Sequence, residues 1–355
     1  MSEKYFLGAM TQYGFSTEFA SIMEDPNYFT YILKGGAGTG KSSLMKNVAN
    51  EFEDTQEVIR FYCSSDPDSL DAIVLKDSKI TIVDGTSPHV FDPKYPGVCQ
   101  KIINLGDNWD EAKLKSQKDK IISVTDKNKS LMARAKRFST ALSNVCGDTY
   151  FCGLSLVSSD KLEGFLTRFT KKILSRKGSG DGKKMVRQLT ALTKYGCYTH
   201  TDTLENYLDI YYMTDDYFAC SHLIIEEISK EAVRRGYNVI LCSSHVFNNN
   251  VYEHLLIPEA GVALISVNPL TEIDTVGGKI INLGRFYEKQ LVSKLKSRLK
   301  MNRLTMKSLS QEVYSTLESA KAAHDEIEKY YISAMDFKKI DSIRENLIEE
   351  IRNKT

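Results

Sequence analysis

The octapeptide Gly35-Gly36-Ala37-Gly38-Thr39-Gly40-Lys41-Ser42 has the spacing G-x-x-x-x-G-K-[ST], and Ser43 follows it. Glycines at these positions let backbone N–H groups curl around phosphate oxygens, because no Cβ holds the anion away. Lys41 then reaches the β- and γ-phosphates as a fixed positive charge, and the Ser42 hydroxyl coordinates magnesium. The pattern works only between a strand and a helix. An apolar strand from Tyr28 to Leu33 precedes it and a helix-forming run from Lys41 to Phe52 follows it. The helix N-terminus therefore adds partial positive charge where the anion sits.

The metal side of such a site needs an Asp closing a neighbouring buried strand, and Ile80-Thr81-Ile82-Val83-Asp84 supplies one. Asp84 joins Lys41 as a catalytic candidate and Ser42 as a magnesium ligand. Gly85 stands where hydrolysing ATPases often carry a glutamate that polarises water, so the general base is open. Asp66 and Asp68, in Cys63-Ser-Ser-Asp-Pro-Asp-Ser-Leu70, and His89 lie beyond strand ends, where doubly wound sheets bind ligands. They are candidates for contact with nucleotide, magnesium or a second substrate, against the competing roles of helix cap and polar loop. The string Asn128-Lys129-Ser130-Leu131 lacks the Asp of a guanine-recognition box, which favours ATP over GTP. The six histidines show no H-E-x-x-H and no Cys/His ligand spacing, so zinc is not expected.

The elements that must position these residues read as strand, helix, strand, short helix, strand. The last three are Val58 to Cys63, Asp66 to Leu75 and Lys79 to Val83. Alternating strands and helices predict a parallel α/β sheet flanked by helices. Lys101-Ile-Ile-Asn-Leu-Gly106 recurs as Lys279-Ile-Ile-Asn-Leu-Gly284, Cys63-Ser64-Ser65 as Cys242-Ser243-Ser244, and Leu7, Ala9, Thr11, Tyr13 and Gly14 as Leu189, Ala191, Thr193, Tyr195 and Gly196. Matches in one order, at spacings of 178 to 182, imply an internal duplication. Each copy of the hexapeptide opens a helical, charged stretch.

The expected organisation is two tandem P-loop NTPase-like domains, each followed by a helical arm. The first is 1–176 with its arm from about 108, the second 183–355 with its arm from about 285, and 177–182 is a polar linker. In the second copy the alignment places Cys220 opposite Lys41 and Ser221 opposite Ser42. Asp215 and Asp216 then fall opposite Gly36 and Ala37, where carboxylates repel phosphate, and Ser266 falls opposite Asp84. The second domain is expected to be degenerate and to pack on the first as an intramolecular pseudo-dimer. It could lend an arginine to the γ-phosphate, with Arg285 the candidate ahead of Arg234 and Arg235.

With 355 residues, 42% hydrophobic and 26% charged, the chain can fill two cores. No run approaches about 18 apolar residues and the start lacks a secretory h-region, so no membrane role is expected. Seven cysteines without a C-x-x-C pair fit reduced thiols and a cytoplasmic location. Net charge is +1, with ten Lys/Arg against Glu163 and Asp181 between Lys161 and Lys194. That stretch permits nucleic-acid contact but is more simply a solvated face.

The segments FLGAMTQYG, GGAGTGKSS, CSSDPDSLD and VDGTSPH together resemble an uncharacterised bacterial family of tandem P-loop ATP-binding proteins. The resemblance covers most of the chain and implies ATP binding without naming a substrate. Members of that family generally carry a P-loop in each half, and this sequence departs from them at Asp215 to Ser221. The combined expectation is a magnesium-dependent ATPase with one active site, ATP and Mg2+ as its ligands. The alternatives are a nucleotide or small-molecule kinase, and a non-catalytic ATP-sensing or nucleic-acid-associated module.

Overall fold

The computed structural model describes residues 3–11, 14–17, 25–86, 90–175, 180, 182–247, 251–271, 273–275 and 277–354. His89 and most of the expected linker lie outside them. The first half runs β1 (Glu3–Phe6), β2 (Gly8–Thr11), β3 (Gly14–Thr17), β4 (Phe29–Lys34), α1 (Lys41–Phe52), β5 (Val58–Tyr62), β6 (Leu70–Leu75), β7 (Ile80–Asp84) and β8 (Gln100–Asn104). Its arm comprises α2 (Glu111–Ser116), α3 (Lys118–Leu156) and α4 (Ser159–Ile173). The second half repeats the plan with β9 (Lys184–Arg187), β10 (Thr190–Thr193), β11 (Gly196–Thr199), β12 (Asp209–Thr214), α5 (Ala219–Arg234), β13 (Val239–Ser243), β14 (Tyr252–Ile257), β15 (Val262–Val267) and β16 (Lys279–Asn282). Helices α6 (Lys289–Ala334) and α7 (Phe337–Arg352) complete it.

Two six-stranded sheets result, ordered β1-β5-β6-β7-β4-β8 and β16-β12-β15-β14-β13-β9, the same order read from opposite ends. The duplication is therefore one of topology as well as of sequence. Each sheet is mixed rather than parallel, because β6 and β14 run antiparallel to both their neighbours. The short helix expected from Asp66 to Leu75 is instead a turn, closed by Ser69 N–H on the Asp66 carbonyl, followed by strand β6. All six residues of Leu-Asp-Ala-Ile-Val-Leu are buried, so the run fills a sheet interior, where tertiary burial overrides a cap signal.

The chain forms two compact units: residues 1–8, 17–134 and 315–355 make up one, and residues 9–16 and 135–314 the other. This differs from the boundary expected at 177–182. The later part of each arm belongs with the other half's sheet. In the first unit α1 buries Leu44, Met45, Val48 and Phe52 against Tyr31, Leu33, Ile73 and Ile82, and Ile340, Leu347 and Ile351 of α7 join that core. In the second, Leu156, Leu162, Phe169 and Ile173 of the first arm join Ile224, Ile228, Leu255 and Leu264. Helical periodicity supplies an apolar stripe without saying which sheet covers it. Ile351→Ala should therefore destabilise the first unit by roughly 2–5 kcal/mol, as for other buried large-to-small changes, measured by urea unfolding. A surface-sized effect would place α7 outside that core.

Candidate functional site

In the first unit β4 ends at Lys34 and α1 begins at Lys41, leaving residues 35–40 as a tight connection. Gly40, with φ of 88°, turns the chain into the helix from the left-handed region, and it offers no side chain to cap the first-turn N–H groups. The N-terminus of α1 thus has no side-chain cap, the arrangement on which anions are held at helix N-termini. The Lys41 ammonium folds back over the loop, donating to the Gly35 carbonyl at 2.8 Å and the Gly36 carbonyl at 2.7 Å. The Thr39 hydroxyl closes the loop on the Gly36 carbonyl at 3.0 Å.

Parallel pairing of β4 with β7 sets Asp84 beside Leu33. It brings one Asp84 carboxylate oxygen to 3.6 Å from Lys41 Nζ, while the other accepts from Thr86 N–H and its hydroxyl. Ser42 Oγ accepts the Leu70 N–H at 2.9 Å. The structure thus brings Asp84 to Lys41, with Ser42 next to it on the first turn of α1. It also explains the missing acid after Asp84: a Cβ at Gly85 would lie 2.4 Å from Ile32 Cγ2, so no side chain fits there.

The segment bearing Asp66 and Asp68 reaches the same end of α1. Asp66 pairs with Lys321 at 3.4 Å, and the Asp68 carbonyl accepts from Lys46 of α1. Neither carboxylate is joined to Lys41 among the described contacts. Arg285 lies in the second unit, its guanidinium stacked on Phe286 and Phe165 at 4.7 and 5.3 Å from the ring centres.

One face of α6, which sequence reasoning did not connect to the loop, covers it within the first unit. A Cβ at Gly38, whose φ is 69°, would meet the Glu328 carbonyl at 2.9 Å and Ile332 at 3.0 Å. His324 Nε2 lies 3.5 Å from the Glu328 carboxylate, and that contact holds the carboxylate below its ordinary range against the opposing effect of burial. Tyr331 and Trp109 stack at 5.4 Å between centroids and both border Gly36. Trp109 Nε1 is buried with no hydrogen-bond partner among the described residues. Some 290 residues separate Gly38 from Glu328, and no local motif spans that interval.

The equivalent connection in the second unit, residues 215–218, is two residues shorter. Phe218, at φ of 64°, takes the left-handed position of Gly40, so Ala219 stands opposite Lys41 and Cys220 opposite Ser42. The alignment of Cys220 with Lys41 is thus shifted by one, because the shortened turn starts the helix earlier. The Cys63 and Cys242 pairing slips by two: Cys63 N–H bonds Ser69 just as Ser244 N–H bonds Val251, and Phe61 matches Cys242 in the ladder. Ser266 pairs with Met213 as Asp84 pairs with Leu33, which keeps that alignment.

No lysine stands at the start of α5, and a carboxylate of the chain itself sits at that helix end. The buried Asp215 carboxylate accepts from Tyr287 Oη at 2.6 Å, Ser221 N–H at 2.8 Å, Ser221 Oγ at 2.9 Å and Tyr217 N–H at 3.1 Å. Burial pushes its pKa up from the usual carboxylate value, opposed by those bonds. The Cys220 N–H donates to Tyr287 at 3.0 Å, and burial together with the Asp215 charge pushes the Cys220 thiol up to about 12. Tyr287 stands at the duplicate position of Trp109, and in each unit the other half's arm bridges this aromatic, Met335 to Trp109 and Val157 to Tyr287.

Among the described residues no helix is long and apolar enough to cross a membrane, and no group of three His, Cys, Asp or Glu side chains could hold a metal by itself. Compared with protein-family models, curated proteins and solved structures, the chain matches none.

Proposed function

We propose that the first unit binds magnesium-ATP at the Gly35–Ser42 loop and acts as a single-site ATPase, with the second unit a degenerate copy. The observation that carries this reading is the ammonium of Lys41 held inside a glycine loop at an uncapped helix N-terminus, 3.6 Å from the strand-terminal Asp84. The loop fits phosphate because its backbone donors and its lysine converge without intervening Cβ atoms. Ser42 and Asp84 are the residues that would hold magnesium: Ser42 Oγ has one lone pair engaged by Leu70 N–H and another left for the metal. Magnesium, when bound, supplies neutralisation of phosphate charge. Trp109 Nε1 offers a further donor beside Gly36.

Glu328 borders Gly38 and carries a carboxylate held in its charged form, a negative charge on the α6 face that covers the phosphate loop. Glu328→Ala should therefore tighten ATP binding by about tenfold, on the order of 1.4 kcal/mol, measured by calorimetric titration. Unchanged affinity would show that this charge does not oppose phosphate.

The reading itself is tested by unfolding the protein with and without magnesium-ATP. At ATP about 100 times its dissociation constant the expected stabilisation is roughly 2.7 kcal/mol, with one ATP bound per chain. No stabilisation at millimolar ATP would remove it, and two equivalents would refute degeneracy.

A further inference from the structure

We propose that Cys197, His245 and Glu253 form a nucleophilic thiol centre in the second unit that accepts an acyl group from a small activated ester or thioester. Three separate strands build it. Cys197 lies on β11 of the β10–β11 hairpin, His245 follows β13, and Glu253 lies on β14. Glu253 is the bulged residue of its strand: Cys242 pairs with His254 and Ser243 with Tyr252, leaving it unpaired and re-aimed.

The geometry is that of a nucleophile, a base and a group that orients the base. Cys197 Sγ is 3.4 Å from His245 Nε2, and His245 Nδ1 is 2.7 Å from Glu253 Oε2. The other Glu253 oxygen accepts from Asn268 Nδ2 at 2.7 Å and Thr271 Oγ1 at 3.1 Å. These bonds fix the carboxylate, which fixes the imidazole with Nε2 toward sulfur. His245 and Glu253 are buried, at 0% and 6% exposure, whereas Cys197 is only partly buried. Burial lowers the His245 pKa, but Cys197 and Glu253 outweigh it and raise the imidazole well above its ordinary value. The neighbouring His254 is turned to Thr190 Oγ1 and Ser266 N–H, and burial pushes it down to about 4, so it stays neutral and outside the relay.

Tyr195 and Tyr198, which bracket Gly196 and Cys197 in the hairpin, are 62% and 39% exposed, so this end of the hairpin reaches solvent. A purely structural role for the network is disfavoured by the duplicate copy. Its counterparts are Phe15, Ser64 and Asp71, so the same sheet and hairpin form without a thiol–imidazole pair. In the reaction the thiol proton resides on His245 Nε2, as its raised pKa favours, and Sγ attacks the carbonyl carbon as the thiolate. The bond from that carbon to the leaving oxygen or sulfur then breaks, and His245 returns the proton to it, giving a Cys197 thioester and a free alcohol or thiol.

The test treats the full-length protein with p-nitrophenyl acetate and follows nitrophenolate release, with peptide mass spectrometry to locate acetyl groups. The expected result is a burst of about one equivalent per chain with acetyl on Cys197. The burst should be lost in Cys197→Ser and slowed about 100-fold in His245→Gln. Glu253→Gln should lower the burst rate constant without shifting the ester concentration at half-saturation, as expected of a positioning residue. Absence of acetyl on Cys197, or acetylation of His245→Gln at the wild-type rate, would overturn the proposal. Should His245→Gln fail to fold, Cys197 acetylation in the wild type is compared with and without urea. A native rate no faster than the unfolded one would overturn the proposal equally.

Discussion

Replacing Lys41 by alanine is expected to weaken ATP binding roughly 10- to 150-fold, the equivalent of losing about 1.5–3 kcal/mol of charged hydrogen bonding. The ammonium is positioned for this in the unliganded loop, where it spans the Gly35 and Gly36 carbonyls and approaches Asp84. Its removal leaves those carbonyls on a partly exposed loop that water can reach, so the fold should survive. Lys46→Ala is the matched control. It lies on the same helix, but its ammonium is tied to the Asp68 carbonyl outside the loop, and its affinity should stay within about twofold of wild type. Titration of both variants, with circular dichroism to confirm folding, decides the matter. If Lys41→Ala binds ATP as tightly as the parent, the nucleotide reading of the loop is lost.

The loop was legible because its determinants are contiguous: four glycines, a lysine and a serine within eight residues, between an apolar strand and a helix. Asp84 was legible because it closes a run whose first four residues are buried. What surrounds the loop was not. Glu328 and Tyr331 reach it only because the second half's arm packs in the first unit, and an apolar helical stripe carries no record of its partner. The Cys-Ser-Ser repeat shows the converse error. Identical residues invited an alignment that the ladder places two positions apart, since strand register follows backbone pairing and the shared bulge, not side-chain identity. The Cys197, His245 and Glu253 cluster left no trace in spacing, because adjacent strands join residues that lie 48 and 8 apart in sequence.

Duplication explains how the two units came to differ at one position without losing their shape. A helix N-terminus over a strand end needs a negative partner or water to satisfy its first-turn donors. In the first unit the donors above Gly40 lack a capping side chain, whereas in the second a carboxylate of the chain itself has moved in. A shorter loop and an internal anion are therefore two parts of one change. The second unit satisfies its helix end with a carboxylate of its own, whereas the first leaves that end to a glycine loop and a lysine.

Asp215→Ala should accordingly be among the most damaging single changes in the second unit, destabilising it by roughly 3–5 kcal/mol. Each orphaned buried donor costs about 1–3 kcal/mol, and local relaxation keeps the sum below simple addition. Tyr287 Oη, the Ser221 N–H, the Ser221 hydroxyl and the Tyr217 N–H all lose their acceptor together. The adjacent Asp216 is exposed, so Asp216→Ala should stay within about 0.5 kcal/mol of the parent. Urea unfolding of the two variants separates a carboxylate that fills the anion position from one that merely faces water. Sulfate or inorganic phosphate should partly restore the stability of Asp215→Ala and not of Asp216→Ala, because only the first opens a cavity lined by helix N–H donors. Equal stabilities for the two variants would mean that Asp215 does not substitute for a bound phosphate, and the structural account of degeneracy would fall with it.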